Sequence, residues 1–217
     1  MNRIFNLDNG FFRGLSKLVD CAYLSLLFLI SCIPLFTVGA AMTALYYTVQ
    51  KVIRRDRGYV SSEYWHAFKT NFKQSTIIWL IVAAVGILLY YDGKILDIMA
   101  EAGHSIGKTA VFFRVLLIFE AVWCAYLFPY MARFVNTNKA VMKNAAFMAI
   151  LNLPWTFLIM LVMAVFALLV YIIPILIFLA PALYTWTLNL ILEKIFRKYM
   201  SEEDRIAEDE MNREYKN

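Results

Sequence analysis

Residues Ala145 to Leu192 read AAFMAILNLPWTFLIMLVMAVFALLVYIIPILIFLAPALYTWTLNLIL, 48 residues without one formal charge. At 1.5 Å per residue a single helix of this length would reach about 72 Å, more than twice the roughly 30 Å hydrocarbon core of a bilayer. The stretch must therefore fold back on itself. Proline lacks a backbone donor and disfavours helix in the residue before it, so the bend is expected at Tyr171 to Pro174. That predicts spans near 154–172 and 175–192, with Pro154 opening the first and Pro181 kinking the second.

Working outward, three more apolar blocks appear: Cys21 to Gln50, Gln74 to Tyr91, and Val115 to Ala132 interrupted by Glu120. An open strand in hydrocarbon would leave its backbone polar groups unpaired, so every block is expected to be helical. The chain as a whole has 217 residues, 62% hydrophobic and 17% charged, with a mean hydropathy of +0.63. Ordinary soluble domains are about 45–50% apolar and about 25% charged. The composition excludes a water-soluble enzyme, a disordered chain and a disulfide scaffold. The fold class is all-α: a polytopic membrane protein of five to six membrane helices, forming one membrane domain over 1–199 with a charged cytoplasmic tail over 200–217.

The first block is interrupted by Cys32-Ile-Pro34-Leu-Phe-Thr37-Val-Gly39. Pro34 ends one helix, and Thr37 is placed to cap the next by accepting a bond from an orphan amide one turn on. A tight hairpin, with 15–33 going out and 38–53 coming back, is the favoured arrangement, and a single crossing remains the alternative. Lys and Arg concentrate in cytoplasmic loops. The hairpin puts eighteen of them inside against three outside, with both termini in the cytoplasm; a single crossing puts fifteen inside against six and the N-terminus outside. The net charge of +5 thus reads as orientation, and no nucleic-acid partner is expected. Leu29-Ile30-Ser31-Cys32 matches a lipoprotein cleavage pattern loosely, but the chain runs on apolar to Tyr47, unlike a mature chain after a signal peptide.

Two further spans are expected near 74–91 and 113–132, and two amphipathic interfacial helices near 62–73 and 138–151. In the first, Trp65, Phe68 and Phe72 recur at helical spacing beside Lys69 and Lys73, as in helices that lie in a membrane interface. With Arg54, Arg55 and Arg57 nearby, this region is a candidate contact for anionic lipids or a cytoplasmic partner. In the second, Val141, Ala145, Met148 and Leu151 form an apolar stripe. The 25 residues from Glu193 to Asn217 hold six basic and eight acidic residues, which predicts a helix leaving the membrane into a solvated acidic tail. Trp79, Trp155 and Trp186 with Tyr46, Tyr47, Tyr90 and Tyr91 are expected in interfacial belts.

An ionisable residue inside a span is a functional candidate, because its burial is expensive. Glu120 is the foremost, as a proton- or ligand-binding group or a structural hydrogen bonder. Asp20 lies three residues beyond Lys17, a spacing that predicts a local ion pair. Pro34, Thr37 and Gly39 form the other candidate, since broken helices at membrane depth place half-helix amides on anions; the plain alternative is a hairpin turn. Asn152 and Asn189 are expected to bond between helices. Cys21, Cys32 and Cys124 lie in apolar runs, and neither His66 nor His104 has metal-ligand company, so no metal and no cofactor are expected. No nucleophile and base stand at a recognisable spacing, and no enzyme activity is expected.

Phe5-Asn6-Leu7-Asp8 with Phe11-Phe12-Arg13, Pro34-Leu-Phe-Thr37-Val-Gly39-Ala40-Ala41 leading to Ala44-Leu45-Tyr46-Tyr47, and Trp65-His-Ala-Phe68-Lys69-Thr-Asn71-Phe72-Lys73-Gln74 resemble the YesL-like bacterial membrane proteins. The likeness runs to about Tyr199, with the specific motifs in the first half. The family has no established function. The resemblance implies a bacterial plasma-membrane setting and an association with carbohydrate uptake, so carbohydrate ABC transporter subunits become candidate partners beside a homo-oligomer. Two readings follow: an accessory or assembly component of carbohydrate uptake, or a small solute carrier using the broken first block and Glu120.

Overall fold

The computed structural model describes residues 10–214, so Arg3 and the Phe5-Asn6-Leu7-Asp8 motif lie outside the described residues, as do the side chains of Phe11, Phe12 and Arg13. The described residues form eight α-helices and no strand: α1 (Gly10–Ser31), α2 (Val38–Thr48), α3 (Val60–Glu101), α4 (Ala110–Arg133), α5 (Asn138–Leu151), α6 (Leu153–Ile172), α7 (Ala180–Tyr199) and α8 (Glu202–Glu214). Four segments are long and apolar enough to cross a membrane: Gly14–Ser31, Val60–Glu101, Ser105–Arg133 and Leu153–Ile172.

α1 and α2 form the hairpin that Pro34 predicts, closed by a 3₁₀ turn at Leu35–Thr37. Thr37 does not cap α2 through its side chain. Its hydroxyl instead donates back to the carbonyls of Ser31 and of Pro34, the latter at 2.6 Å. The turn thus takes the hydroxyl that an N-terminal amide would have used. α2 is the buried centre of this half of the molecule. Gly39, Ala40, Ala41 and Ala44 present almost no side chain, so α3 packs closely against them. Thr43 shares a 3.0 Å hydroxyl hydrogen bond with Ser75 of α3. The helix widens into a π turn at Val49–Ile53. The loop that follows reverses through Asp56 and Gly58, both at positive φ.

The expected interfacial helix and the span after it are one element. α3 runs 42 residues without a break, about 63 Å. No proline falls within it and its first glycine is Gly86, so nothing interrupts the backbone ladder where the amphipathic pattern changes to an apolar one. Tyr64 and Ala67 of its first turns are buried against α2, while Trp65, Lys69, Phe72 and Lys73 face outward.

Depth is the second departure. Gly39, at the tip of the hairpin, meets Ser75 and Trp79 of α3, and the Trp79 indole donates to the Leu35 carbonyl at 2.7 Å. The hairpin therefore lies beside the part of α3 that precedes Trp79, and its return limb is eleven α-helical and five π-helical residues long, about 24 Å. The 22 residues of α3 beyond Trp79 project about 33 Å farther, accompanied by α4. This α3–α4 arm exposes Ile87, Leu88, Ile95, Ile98, Val111, Phe112 and Val115. Near its end Arg114 donates to both oxygens of Asp97 at 2.7 Å.

α5 keeps its expected bounds, and its apolar stripe packs against the protein itself. Val141, Ala145 and Met148 are buried in the protein core, and only Leu151 of the stripe is exposed. α6 begins with Pro154 in its first turn and ends at Ile172, as the proline pattern predicts. A 3₁₀ turn at Pro174–Phe178 then delays α7 until Ala180, and Pro181 starts that helix instead of kinking it. A proline in a first turn removes a donor that has no intrahelical partner in any case.

Candidate functional site: a charged cluster beside an apolar cavity

The strongest concentration of chemistry lies where four elements end. α4 leaves its apolar run at Arg133, α7 leaves its own at Glu193, the loop after the π turn supplies Arg54 and Arg55, and α8 folds back over them. Both oxygens of the Glu208 carboxylate are engaged, one by Arg55 and one by Arg133. Behind it, Glu193 Oε2 lies 3.9 Å from Arg55 Nη2 and 3.6 Å from Arg133 Nη2. The Tyr46 hydroxyl donates to Glu193 Oε1 at 3.2 Å. Two guanidiniums and two carboxylates thus balance, and Glu193 and Glu208 are only 3% and 6% exposed. Beside the cluster, Arg54 donates to Asn189 Oδ1 at 2.8 Å, and Arg197 holds both oxygens of Asp209 at 2.7 and 2.8 Å.

The expected solvated tail is therefore a docked helix. Burial by itself pushes the Glu208 carboxyl up, but Arg133 and Arg55 more than offset this, and it titrates below its usual range. A carboxyl whose folded value is depressed contributes stability that is complete above its ordinary value of about 4.3 and is lost as the pH falls through the folded value. We expect α8 to become protease-sensitive on acidification below about pH 4. Comparison with Glu208→Gln isolates this from Glu193 in the same cluster: the variant should be sensitive already at neutral pH and show a flatter acid limb. Parallel acid profiles would show that Glu208 does not hold the helix.

Tyr46 belongs to two surroundings, since its hydroxyl reaches the cluster and its ring lines a cavity of about 400 Å³. It is a core residue, 1% exposed, and not part of an interfacial belt. Phe28 of α1, Met42 and Leu45 of α2, Cys124 and Phe128 of α4, and Met163 of α6 complete much of the wall. Tyr184 and Thr185 are its other hydroxyl-bearing residues.

The residues singled out from the sequence fall in separate places. Pro34, Thr37 and Gly39 stay together at the hairpin tip, but a Cβ on Gly39 would lie 2.6 Å from the Ser75 carbonyl oxygen. The start of α2 is thus covered by an electron-rich backbone group, which disfavours an anion there. Asp20 does not pair with Lys17; Lys17 instead meets Asp56 at 3.0 Å, because the loop after α2 returns beside the start of α1. Glu120 is 9% exposed and faces Gly86 of α3, and its Oε1 has no hydrogen-bond partner among the described residues. No α3 residue lines the cavity, and Glu120 itself does not, although Ala121 and Cys124 beside it on α4 do. Asn152 bonds between helices as expected, donating to the Tyr199 hydroxyl at 3.1 Å. Among the described residues no group of three His, Cys, Asp or Glu is arranged to hold a metal.

Arg133, Glu193, Glu208 and Tyr46 were not found as a site by sequence reasoning. The available signal was positional: Arg133 and Glu193 each stand at the exit of an apolar block, at ends that an antiparallel bundle brings together.

Glu120 yields a further expectation. Amidation should leave the fold intact, since a buried carboxyl without a partner gains nothing from its charge. We expect Glu120→Gln to match or exceed the thermal midpoint of the parent in detergent. A drop of several degrees would reveal a partner that stabilises the carboxylate.

The fold and site together define a helical membrane protein whose charged end is clamped by its own C-terminal helix. Residues 21–93, covering the hairpin and most of α3, match the model of a family described as protein of unknown function, DUF624, which takes in the YesL-like proteins. No curated protein and no solved structure matches the chain.

Proposed function

We propose that this chain is a non-enzymatic accessory or assembly protein of the bacterial plasma membrane that works beside a carbohydrate ABC-type uptake system. The observation that carries this reading is the character of the cavity. A sugar would find only the hydroxyls of Tyr46, Tyr184 and Thr185 in a wall that is otherwise apolar, and that of Tyr46 is already committed to Glu193. Binding a polyol in such walls would strip its hydroxyls of water without replacing the bonds. A role in carbohydrate uptake then falls to contacts with another protein. The surface for it is the outward side of the first turns of α3, with Trp65, Lys69, Phe72 and Lys73. The excess of Lys and Arg supports a cytoplasmic setting for this surface and, with the first block as a hairpin, for both termini.

The test is affinity purification from native membranes into nanodiscs, with mass spectrometry of what accompanies the chain. An ABC permease or ATPase in stoichiometric amount is expected, with Trp65→Ala and Lys69→Glu reducing its recovery. A protein that purifies alone, in cells whose sugar uptake survives its deletion, overturns the reading.

A second reading, a small carrier, draws on the unpartnered oxygen of Glu120 in the α3–α4 arm. It requires solute flux in liposomes that Glu120→Gln abolishes. Absence of flux across sugars and sugar acids under imposed pH gradients removes it.

A further inference from the structure

We propose that the apolar cavity holds one hydrocarbon tail of a bilayer lipid as a fixed ligand of the fold. The cavity is not isolated. A second space of about 310 Å³ shares Met163, Pro181 and Tyr184 with it. The second space follows one face of α6, where Met163, Phe166, Ala167 and Val170 recur at spacings of three, one and three. It reaches Ile177, which is exposed in the turn between α6 and α7. An elongated apolar space open beside Ile177 fits a chain without polar groups, entering from the surrounding hydrocarbon.

The space follows from the sequence. Pro174 and Pro181 bracket a 3₁₀ segment that keeps α7 from continuing α6, and Ala121, Ala125, Ala167 and Ala180 are too small to fill the gap. Water is a poor occupant, because an apolar cavity offers it too few partners and stays dry. An unfilled cavity destabilises in proportion to its volume. A lipid tail needs no hydrogen bond and is present at the concentration of the bilayer itself. The walls come from five helices, α1, α2, α4, α6 and α7, so the tail touches all of them at once. This inference does not depend on the accessory reading.

The probe is palmitoyl-oleoyl phosphatidylglycerol, offered in detergent to the delipidated full chain and counted by native mass spectrometry. One retained lipid per chain is expected. Ala125→Phe and the milder Ala121→Leu fill the channel and should weaken retention about tenfold, the effect of excluding roughly two methylenes from burial. Leu168→Phe, on the exposed side of α6, should not change it. Cys124 gives a readout without filling the cavity. In a Cys21→Ala/Cys32→Ala background the lipid should slow its reaction with N-ethylmaleimide several-fold. Equal retention in the filled and parent proteins, retained detergent in place of lipid when both are offered, or unchanged Cys124 reactivity each overturns the proposal.

Discussion

Arg133→Ala should destabilise the protein by about 3–5 kcal/mol, the usual cost of breaking a buried ion pair by removing one partner. Arg133 is engaged by Glu208 and stands 3.6 Å from Glu193. Without it, two nearly buried carboxylates share Arg55, and the Tyr46 hydroxyl remains bonded to one of them. The loss should reach all the elements the cluster joins: α8 should undock, and the thermal midpoint of the whole bundle should fall. Arg55→Met and Arg133→Met combined with Glu193→Leu, Glu208→Leu and Tyr46→Phe should recover most of the stability, because apolar replacement of a complete buried network is often neutral or favourable. Measurement by thermal unfolding in detergent, with limited proteolysis for α8, checks both parts. An Arg133→Ala midpoint equal to that of the parent would mean that the cluster is hydrated and contributes little.

Gly39→Ala should separate α2 from α3. The added methyl carbon would stand 2.6 Å from the Ser75 carbonyl oxygen, 2.6 Å from the Trp79 Cβ and 3.0 Å from the Phe128 ring. Two of these neighbours cannot yield by rotating a side chain, since one is backbone and the other is a Cβ. Overpacking of this kind costs about 1–3 kcal/mol, and here it acts on the contact that sets how far the hairpin reaches along α3. The hydrogen bond from the Trp79 indole to the Leu35 carbonyl should break with it. Thermal unfolding together with a shift in tryptophan emission checks this. Gly14→Ala is the control, because a Cβ there meets nothing within 4 Å. Equal behaviour of the two variants would show that the close approach of α2 and α3 is not required.

Much of the local structure was legible. Pro34, Pro154 and Pro174 mark the helix breaks where they were expected, because a missing donor acts within one turn of the proline itself. The bounds of α5 followed from its apolar stripe at helical spacing and from the proline that opens the next span. Periodicity did not separate an interfacial helix from the first turns of a long one, since both carry the same stripe; hence α3 was divided in two. The pairing of Lys17 was missed for a related reason. Asp20 is close in sequence, but Asp56 is brought closer by the reversal at Gly58.

The site divides in the same way. Glu120 was legible because an acid inside an apolar run stands out in any window. The cluster was not, because Tyr46, Arg133, Glu193 and Glu208 are separated by up to 162 positions and each is ordinary where it stands.

Hydropathy and proline placement by themselves determined that this is a helical membrane chain and where its helices break, since those properties depend on burial in lipid and on backbone chemistry within a few residues. Only the tertiary structure decided how deep the α1–α2 hairpin sits, that the acidic tail docks, and that small residues and a delayed α7 leave a channel open. These rest on contacts between distant segments, where a single close approach such as Gly39 on Ser75, or one carboxylate between two guanidiniums, selects among arrangements that share the same local pattern.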